Sequence, residues 1–172
     1  MKHGCFTICR KFSLALAILA LAGCSYFFAP RVELQRLTLD VAARANDDSP
    51  IAVDFVAVKD AELFKELAGL PASQWFANRE QYRRDYRQQF AVWSLELVPG
   101  QFIESESFPL RGDRATGLLV FAGYNTPGAH RLRLDQQQRV WLRLDTREMR
   151  LVNDLPPRPS EGAGERPSCT TT

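Results

Sequence analysis

The chain has 172 residues, 45% of them hydrophobic and 24% charged, with 10 Gly and 10 Pro. That balance excludes collagen-like, coiled-coil and wholly disordered proteins and fits one globular domain. Basic residues number 22 and acidic 20, a formal charge of +2, and with no dense Lys/Arg run to follow a phosphate backbone the sequence argues against a nucleic-acid partner.

Residues 1–23 read as a lipoprotein signal peptide. Lys2, Arg10 and Lys11 make a positive front, and Phe12 to Leu21 form an apolar core that ends in small residues. The core is shorter than a stable transmembrane span. The segment Leu21-Ala22-Gly23-Cys24 resembles the lipobox of bacterial lipoproteins, in which the cysteine thiol takes up a diacylglyceryl group before cleavage and the new amino terminus is then acylated, palmitate being one such chain. An ordinary secretory signal and an uncleaved anchor are the alternatives. Several acyl chains, at about 0.8 kcal/mol per buried methylene, hold a protein on a bilayer far more firmly than one. Ser25, where lipoproteins retained at the inner membrane usually carry Asp, implies sorting to the outer membrane with the domain facing the periplasm. Cleavage would remove three basic residues and no acidic ones and leave a nearly neutral mature chain. Cys5 and Cys9 go with the signal and Cys24 carries lipid, so Cys169 is the sole remaining thiol and no disulfide can form within the mature chain. A hydrophobic core must supply the stability instead.

Residues 24–31 form a lipidated tether, with Tyr26, Phe27 and Phe28 against the membrane interface. From Val32 to Ala42 apolar residues alternate with one slip near Gln35-Arg36, the pattern of a bulged strand. Asn46-Asp47-Asp48-Ser49-Pro50 is a loop by side-chain chemistry. Ile51 to Val58 is a second strand, with Val53, Phe55 and Ala57 on one face and Asp54, Val56 and Val58 on the other. The period changes at Asp60: Leu63, Phe64, Leu67 and Leu70 recur at helical spacing, Asp60 is placed to cap, and Gly69 and Pro71 punctuate the end. Ser73 to Gln89 reads as a second helix with a sparse apolar stripe. Strand patterns resume at Ala91 to Val98, followed by a Pro99-Gly100 turn, Phe102 to Leu110, Gly117 to Tyr124, His130 to Leu134, Arg139 to Asp145 and the surroundings of Met149 and Leu151. Residues 155–172 collapse into Pro, Ser, Gly, Glu and Thr and read as a disordered tail holding Cys169. The 32–154 segment is thus expected to be a mostly β, two-sheet β-sandwich with a helical insertion after the second strand.

Chemistry is sparse. His130 is the only histidine after the signal and reads as a surface or edge imidazole, and with no second His or clustered Cys no metal set and no cofactor beyond the lipid on Cys24 is expected. Glu104 and Glu106 share a strand face and read as solvated, no nucleophile elbow or phosphate-binding glycine loop occurs, and no catalytic residue is assigned. Arg111-Gly112-Asp113 is an unspecific tripeptide. Trp75, Phe76, Trp93 and Phe102 read as core rather than as a ligand groove.

The order of parts resembles the TssJ (SciN) family, the outer-membrane lipoproteins of bacterial type VI secretion systems. The lipobox, a first strand, a polar loop closed by Ser49-Pro50, a β-run ending Val58-Lys59, a helix carrying Phe64 and Leu67, the Pro99-Gly100 turn and the apolar strand Gly117 to Ala122 carry the likeness. The aromatic and basic stretch Trp75 to Gln89, and Gly123-Tyr124-Asn125 in place of an aromatic-arginine pair, depart from the family pattern and leave two alternatives, a divergent member or a different secretion-associated lipoprotein. The resemblance implies a transthyretin-like sandwich without enzymatic activity that binds the periplasmic domain of the inner-membrane protein TssM through the loop between the first two strands. On this chain that loop is Ala45 to Ser49, with Asn46, Asp47, Asp48 and Ser49 as contact residues. A periplasmic binding or inhibitory module for cell-wall material or a hydrolase, working through Trp75 to Arg87, is the alternative from a different class.

Overall fold

The computed structural model describes residues 30–135 and 137–152. The signal peptide, Cys24, the disordered-tail reading and Cys169 lie outside the described residues. The elements run β1 (Arg36–Val41), β2 (Ile51–Val58), α1 (Ala61–Leu67), α2 (Ala72–Asp85), β3 (Phe90–Leu97), β4 (Phe102–Ser105), β5 (Gly117–Ala122), β6 (Arg131–Arg133), β7 (Arg139–Leu144) and β8 (Met149–Leu151). They form two four-stranded sheets, ordered β4-β1-β7-β8 and β3-β2-β5-β6. The expected two-sheet sandwich, with its helical insertion after the second strand, is the observed architecture. All pairings between named strands are antiparallel except β1 with β7, which run parallel.

The anticipated slip at Gln35-Arg36 has a structural form. Both backbone N–H groups donate to one carbonyl, that of Gln138, at 2.9 and 3.1 Å. Two residues opposite one is the signature of a β-bulge, and it lets Val32 and Leu34 as well as Leu37, Leu39 and Val41 enter the core. The last residues of the expected tether already belong to the fold: the Pro30 carbonyl accepts from Ala115, and Arg31 bridges to Arg114.

β2 and β5 occupy the middle of their sheet, and the two flanks of β2 are covered differently. Val53, Phe55 and Ala57 join Leu118, Val120 and Ala122 of β5 in the core between the sheets, while Val56 and Val58 join Leu119, Phe121 and the helices in a second core outside it. A strand buried on both faces cannot alternate with polar residues, which is why Ile51–Val58 and Gly117–Ala122 read as apolar runs. α1 forms because Asp60 accepts from the Leu63 N–H at 2.8 Å and Leu63, Phe64 and Leu67 share its inner side. α2 has a thin stripe, burying only Ala72 and Trp75, so its seating depends on polar pins. The buried Asp54 of β2 accepts from the Trp75 indole N–H at 2.9 Å and pairs with Arg79 at 3.1 Å. Trp75 also stacks on Phe121 at 5.0 Å.

Several strands are shorter than their patterns, and in two the reason is plain. β4 stops at Ser105 rather than Leu110, because the chain must leave its sheet: Pro109 offers no N–H to a ladder, and Phe108 turns inward to meet Phe55 and Trp93 edge-on, both at 5.4 Å. β6 starts one residue after His130, whose φ of 42° is incompatible with a strand.

Candidate partner-binding end of the sandwich

Strand direction sorts the connections. The residues 42–50, 98–101, 123–130 and 145–148 all gather at one end of the sandwich, and the entering segment 30–35 lies with 106–116 and 134–138 at the other. The predicted contact loop is in the first group.

That loop is a left-handed turn over Ala45–Asp48, with three successive non-glycine residues at positive φ: Asn46 at 51°, Asp47 at 53° and Asp48 at 61°. The left-handed region is costly for most L-residues and least so for Asn and Asp, whose short side chains bond locally. Asn46 is buried, and its groups are all committed. Its Nδ2 donates to the Pro50 carbonyl at 3.0 Å, its Oδ1 accepts from Asn125 N–H at 2.6 Å, and its backbone N–H donates to Thr146 at 2.9 Å. Through its side chain and its backbone together, this one residue ties three loops of this end. Asn46, named from the sequence as a contact residue, is instead internal to the loop. Its neighbours differ: Asp47 and Asp48 are exposed, Ser49 is half-buried, and Asp48 meets Arg44 in an exposed ion pair at 3.6 Å.

A second tie stands beside the first. The Tyr124 hydroxyl donates to the carbonyls of Asp145 and Glu148, at 3.1 and 2.8 Å, and its ring stacks on His130 at 4.7 Å. Burial, then the negative charges of Asp145 and Glu148, push the Tyr124 hydroxyl well above the ordinary tyrosine value, so it stays a donor. His130 is thus a structural plug, held also by Nε2 against the Thr126 carbonyl at 2.8 Å. Asp145 is bridged by Arg143 at 3.0 Å and Arg150 at 2.7 Å. Burial raises its pKa, but the hydrogen bonds and charges of Arg150 and Arg143 together outweigh that and hold it below its ordinary value. Arg143 in turn pairs with Asp40 of β1. The sequence reading missed Tyr124 and Asp145. An Asn and a Tyr inside loops adjoining apolar strands were the available signal, and only the pairing of the loops gives it meaning.

The end therefore offers two carboxylates on a stiff turn. Val98 and Phe102, the exposed large hydrophobics at 50% and 57%, flank the Pro99-Gly100 hairpin at the same end. Trp75, Phe76, Trp93 and Phe102 are not brought together as a groove. Trp75 lies under α2, Trp93 lies between the sheets, and Phe102 sits on the opposite sheet. Trp75 is fully buried with its N–H committed to Asp54, so it is not a contact residue for a ligand. Among the described residues no cluster of His, Cys, Asp and Glu is arranged to hold a metal ion, and no helix is long and apolar enough to cross a membrane.

No protein-family model matches the chain, and no curated protein matches it. Solved structures do. The T6SS lipoprotein TssJ1 from Pseudomonas aeruginosa is similar over 71% of this chain and 96% of its own, at 16% identity and a TM-score of 0.54. A chain of a type VI membrane complex is similar over 71% of this chain and 99% of its own, at 14% identity and a TM-score of 0.54. Serratia marcescens Lip, a membrane-bound component of the type VI secretion system, matches over 68% of this chain and 95% of its own, at 14% identity and a TM-score of 0.49. At these identities the likeness is one of fold: the chain has the β-sandwich of the TssJ lipoprotein structure.

Proposed function

We propose that this chain is a divergent TssJ-type lipoprotein, a non-enzymatic part of a type VI secretion membrane complex. It is anchored in the outer membrane by lipid on Cys24, faces the periplasm, and binds the periplasmic part of a TssM-like inner-membrane protein through Asp47, Asp48 and Ser49. The observation that carries this reading is the polarity of the sandwich. The chain enters from its N-terminal side at one end, and the stiff acidic turn stands at the other, roughly 25 Å away by the length of an eight-residue strand. A body tethered at one end and reactive at the other is a mechanical link. The stacked ties of Asn46 and Tyr124 support the reading, because a rigid loop loses little entropy when it is bound. Fold similarity to TssJ1 and to a type VI membrane-complex chain supports it as well.

Two experiments test it. Cys24→Ser should move the protein from outer-membrane vesicles to the soluble periplasmic fraction, and continued sedimentation with the vesicles would refute the anchor. Asp47→Asn combined with Asp48→Asn removes both charges while keeping residue types that tolerate the left-handed turn. The double variant should lower the association rate with a TssM-like periplasmic domain about tenfold at low salt, since exposed charges act chiefly by steering. Unchanged association would refute the assignment of the loop.

A further inference from the structure

Charge divides this domain along its length. Residues 30–36, 58–60, 86–90, 105–117 and 133–139 make up the end at which the chain enters, and they hold eight basic and five acidic side chains. Residues 41–51, 97–102, 122–131 and 144–149 at the opposite end hold three basic and four acidic. Pairing sharpens the difference. At the entering end Glu106 is engaged by Arg36, Asp135 by Arg133, and Asp60 by the cap of α1, which leaves Glu33 and Asp113 without such a partner. Arg31, Lys59, Arg87, Arg111, Arg114 and Arg139 are all exposed, and among the described residues none of the six stands within ion-pair distance of a carboxylate.

The same end is the one held close to the bilayer if Cys24 bears the lipid, and that part of the reasoning rests on the function proposed above. The Pro30 carbonyl accepts from Ala115 and Arg31 bridges to Arg114, so the chain joins the fold at residue 30. Pro30 is six residues beyond Cys24 in the sequence, a reach of about 20 Å at full extension. Tyr26, Phe27 and Phe28 fall within those six, and Tyr in particular is a residue type that settles at headgroup level. A charged face confined so near a lipid surface meets it at high effective concentration, and its side chains act once they come within a Debye length, about 8 Å at physiological salt.

We infer that the entering end is a membrane-docking face whose exposed arginines, Arg31, Arg111 and Arg114 foremost, bind the phosphates of anionic phospholipids. Arg31 and Arg114 sit opposite each other in an isolated bridge, Arg111 lies three residues before Arg114 in the same connection, and Arg31 Nη1 donates to the Gly112 carbonyl at 2.7 Å, which holds its guanidinium beside that turn. A guanidinium offers a phosphate two parallel N–H donors, so arginine suits this contact better than lysine. Docking gives the molecule a direction. The entering end lies on the headgroups, the Ala45–Asp48 turn points away from them, and the more acidic opposite end is repelled by the same surface. Each cation at an anionic surface raises affinity about fivefold. Adsorption of the face alone is therefore reversible and sensitive to salt, yet ample to orient a body that is already tethered. The lipid supplies the attachment and the arginines supply the orientation.

The test uses the mature chain from residue 24 with Cys24→Ser, so that binding does not depend on the anchor. It is mixed with vesicles of phosphatidylcholine alone or of phosphatidylcholine with an equal share of phosphatidylglycerol. That chain is nearly neutral, so only an uneven distribution of its charges can bring it onto an anionic surface. It should float with the phosphatidylglycerol vesicles at about 50 mM salt, stay behind with phosphatidylcholine alone, and be released at about 500 mM salt. Arg31→Gln, Arg111→Gln and Arg114→Gln together should lower the affinity about a hundredfold. Arg44→Gln with Arg147→Gln, which also makes the chain more acidic but at the opposite end, should leave it unchanged, with near-ultraviolet circular dichroism showing that both variants are folded. In the lipidated protein, a fluorophore on Ser107→Cys should be quenched by nitroxide-headgroup lipid and one on Arg147→Cys should not, both in a Cys169→Ser background. The inference is overturned if both kinds of vesicle bind alike, if neither binds at low salt, if the opposite-end pair weakens binding as much as the triple variant, if the two fluorophores are quenched equally, or if peptidoglycan sacculi retain the chain and the vesicles do not. Failure of the Cys24→Ser fractionation in cells would count against the anchor and leave the vesicle result standing.

Discussion

Asn46 is the point at which loop geometry and stability meet, and Asn46→Ala against Asn46→Gly separates its two roles. Both substitutions remove the hydrogen bonds to the Pro50 carbonyl and from the Asn125 N–H, in a residue only 1% exposed. Each lost bond costs about 1 kcal/mol net, so the pair is worth about 2 kcal/mol. Alanine adds a second cost at φ 51°, because its Cβ crowds the following carbonyl in the left-handed region for about 1 kcal/mol, and glycine adds none. The expected destabilisation is thus about 3 kcal/mol for alanine and about 2 for glycine. In a domain of this size 1 kcal/mol moves the melting temperature by roughly 4 °C, so the drops should be roughly 12 and 8 °C. Thermal unfolding followed by near-ultraviolet circular dichroism reads both. A drop below roughly 4 °C for either variant would show that the loop ties contribute little, and glycine falling as far as alanine would refute the strain contribution.

Other expectations follow from single contacts. Asp54→Ala leaves the Trp75 indole N–H and the partly exposed Arg79 facing an apolar site without their partner, and should cost about 3 kcal/mol in urea unfolding. Trp75 emission should shift red as α2 loosens, whereas an unchanged midpoint would mean that packing alone seats the helix. Gly117→Ala would drive a Cβ into the Phe64 ring and to 2.6 Å from Asp135 Oδ1, an overpacking worth about 2 kcal/mol, and wild-type stability in this variant would refute that contact. Burial, reinforced by its hydrogen bond to Glu66 at 2.8 Å, pushes Tyr82 up to about 12 in the folded state from 10.0. The folded chain then holds a proton that the unfolded chain releases, so this contribution is complete below pH 10.0 and is lost as pH rises toward 12. Tyr82→Phe should flatten that alkaline fall, and an identical pH profile would count against it. The depressed Asp145 has the opposite sign: its contribution is complete above 3.8 and disappears as pH falls below it, a loss that Asp145→Asn should abolish in acid titration of stability.

Much of this molecule was legible in one dimension because its signals are local. Periodicity exposed the bulge at Gln35-Arg36, the Asp60-capped helix, the Pro99-Gly100 turn and the apolar strands β2 and β5, since each depends on residues within a few positions of one another. The polar character of the 45–49 loop was legible in the same way. Whether its side chains turn inward or outward was not. Asn46 and Asp47 have adjoining positions, similar chemistry and nearly equal φ angles, yet one is sealed and the other exposed, because Asn125 and Thr146, far along the chain, arrive beside the first alone. The parallel pairing of β1 with β7, the burial of Asp54 beneath α2 and the gathering of exposed arginines at the entering end share that origin. Hydrophobic patterning tells a strand which face to bury, but its neighbours are chosen by the packing of the whole chain, and those neighbours decide which polar groups are satisfied internally and which are left for another molecule.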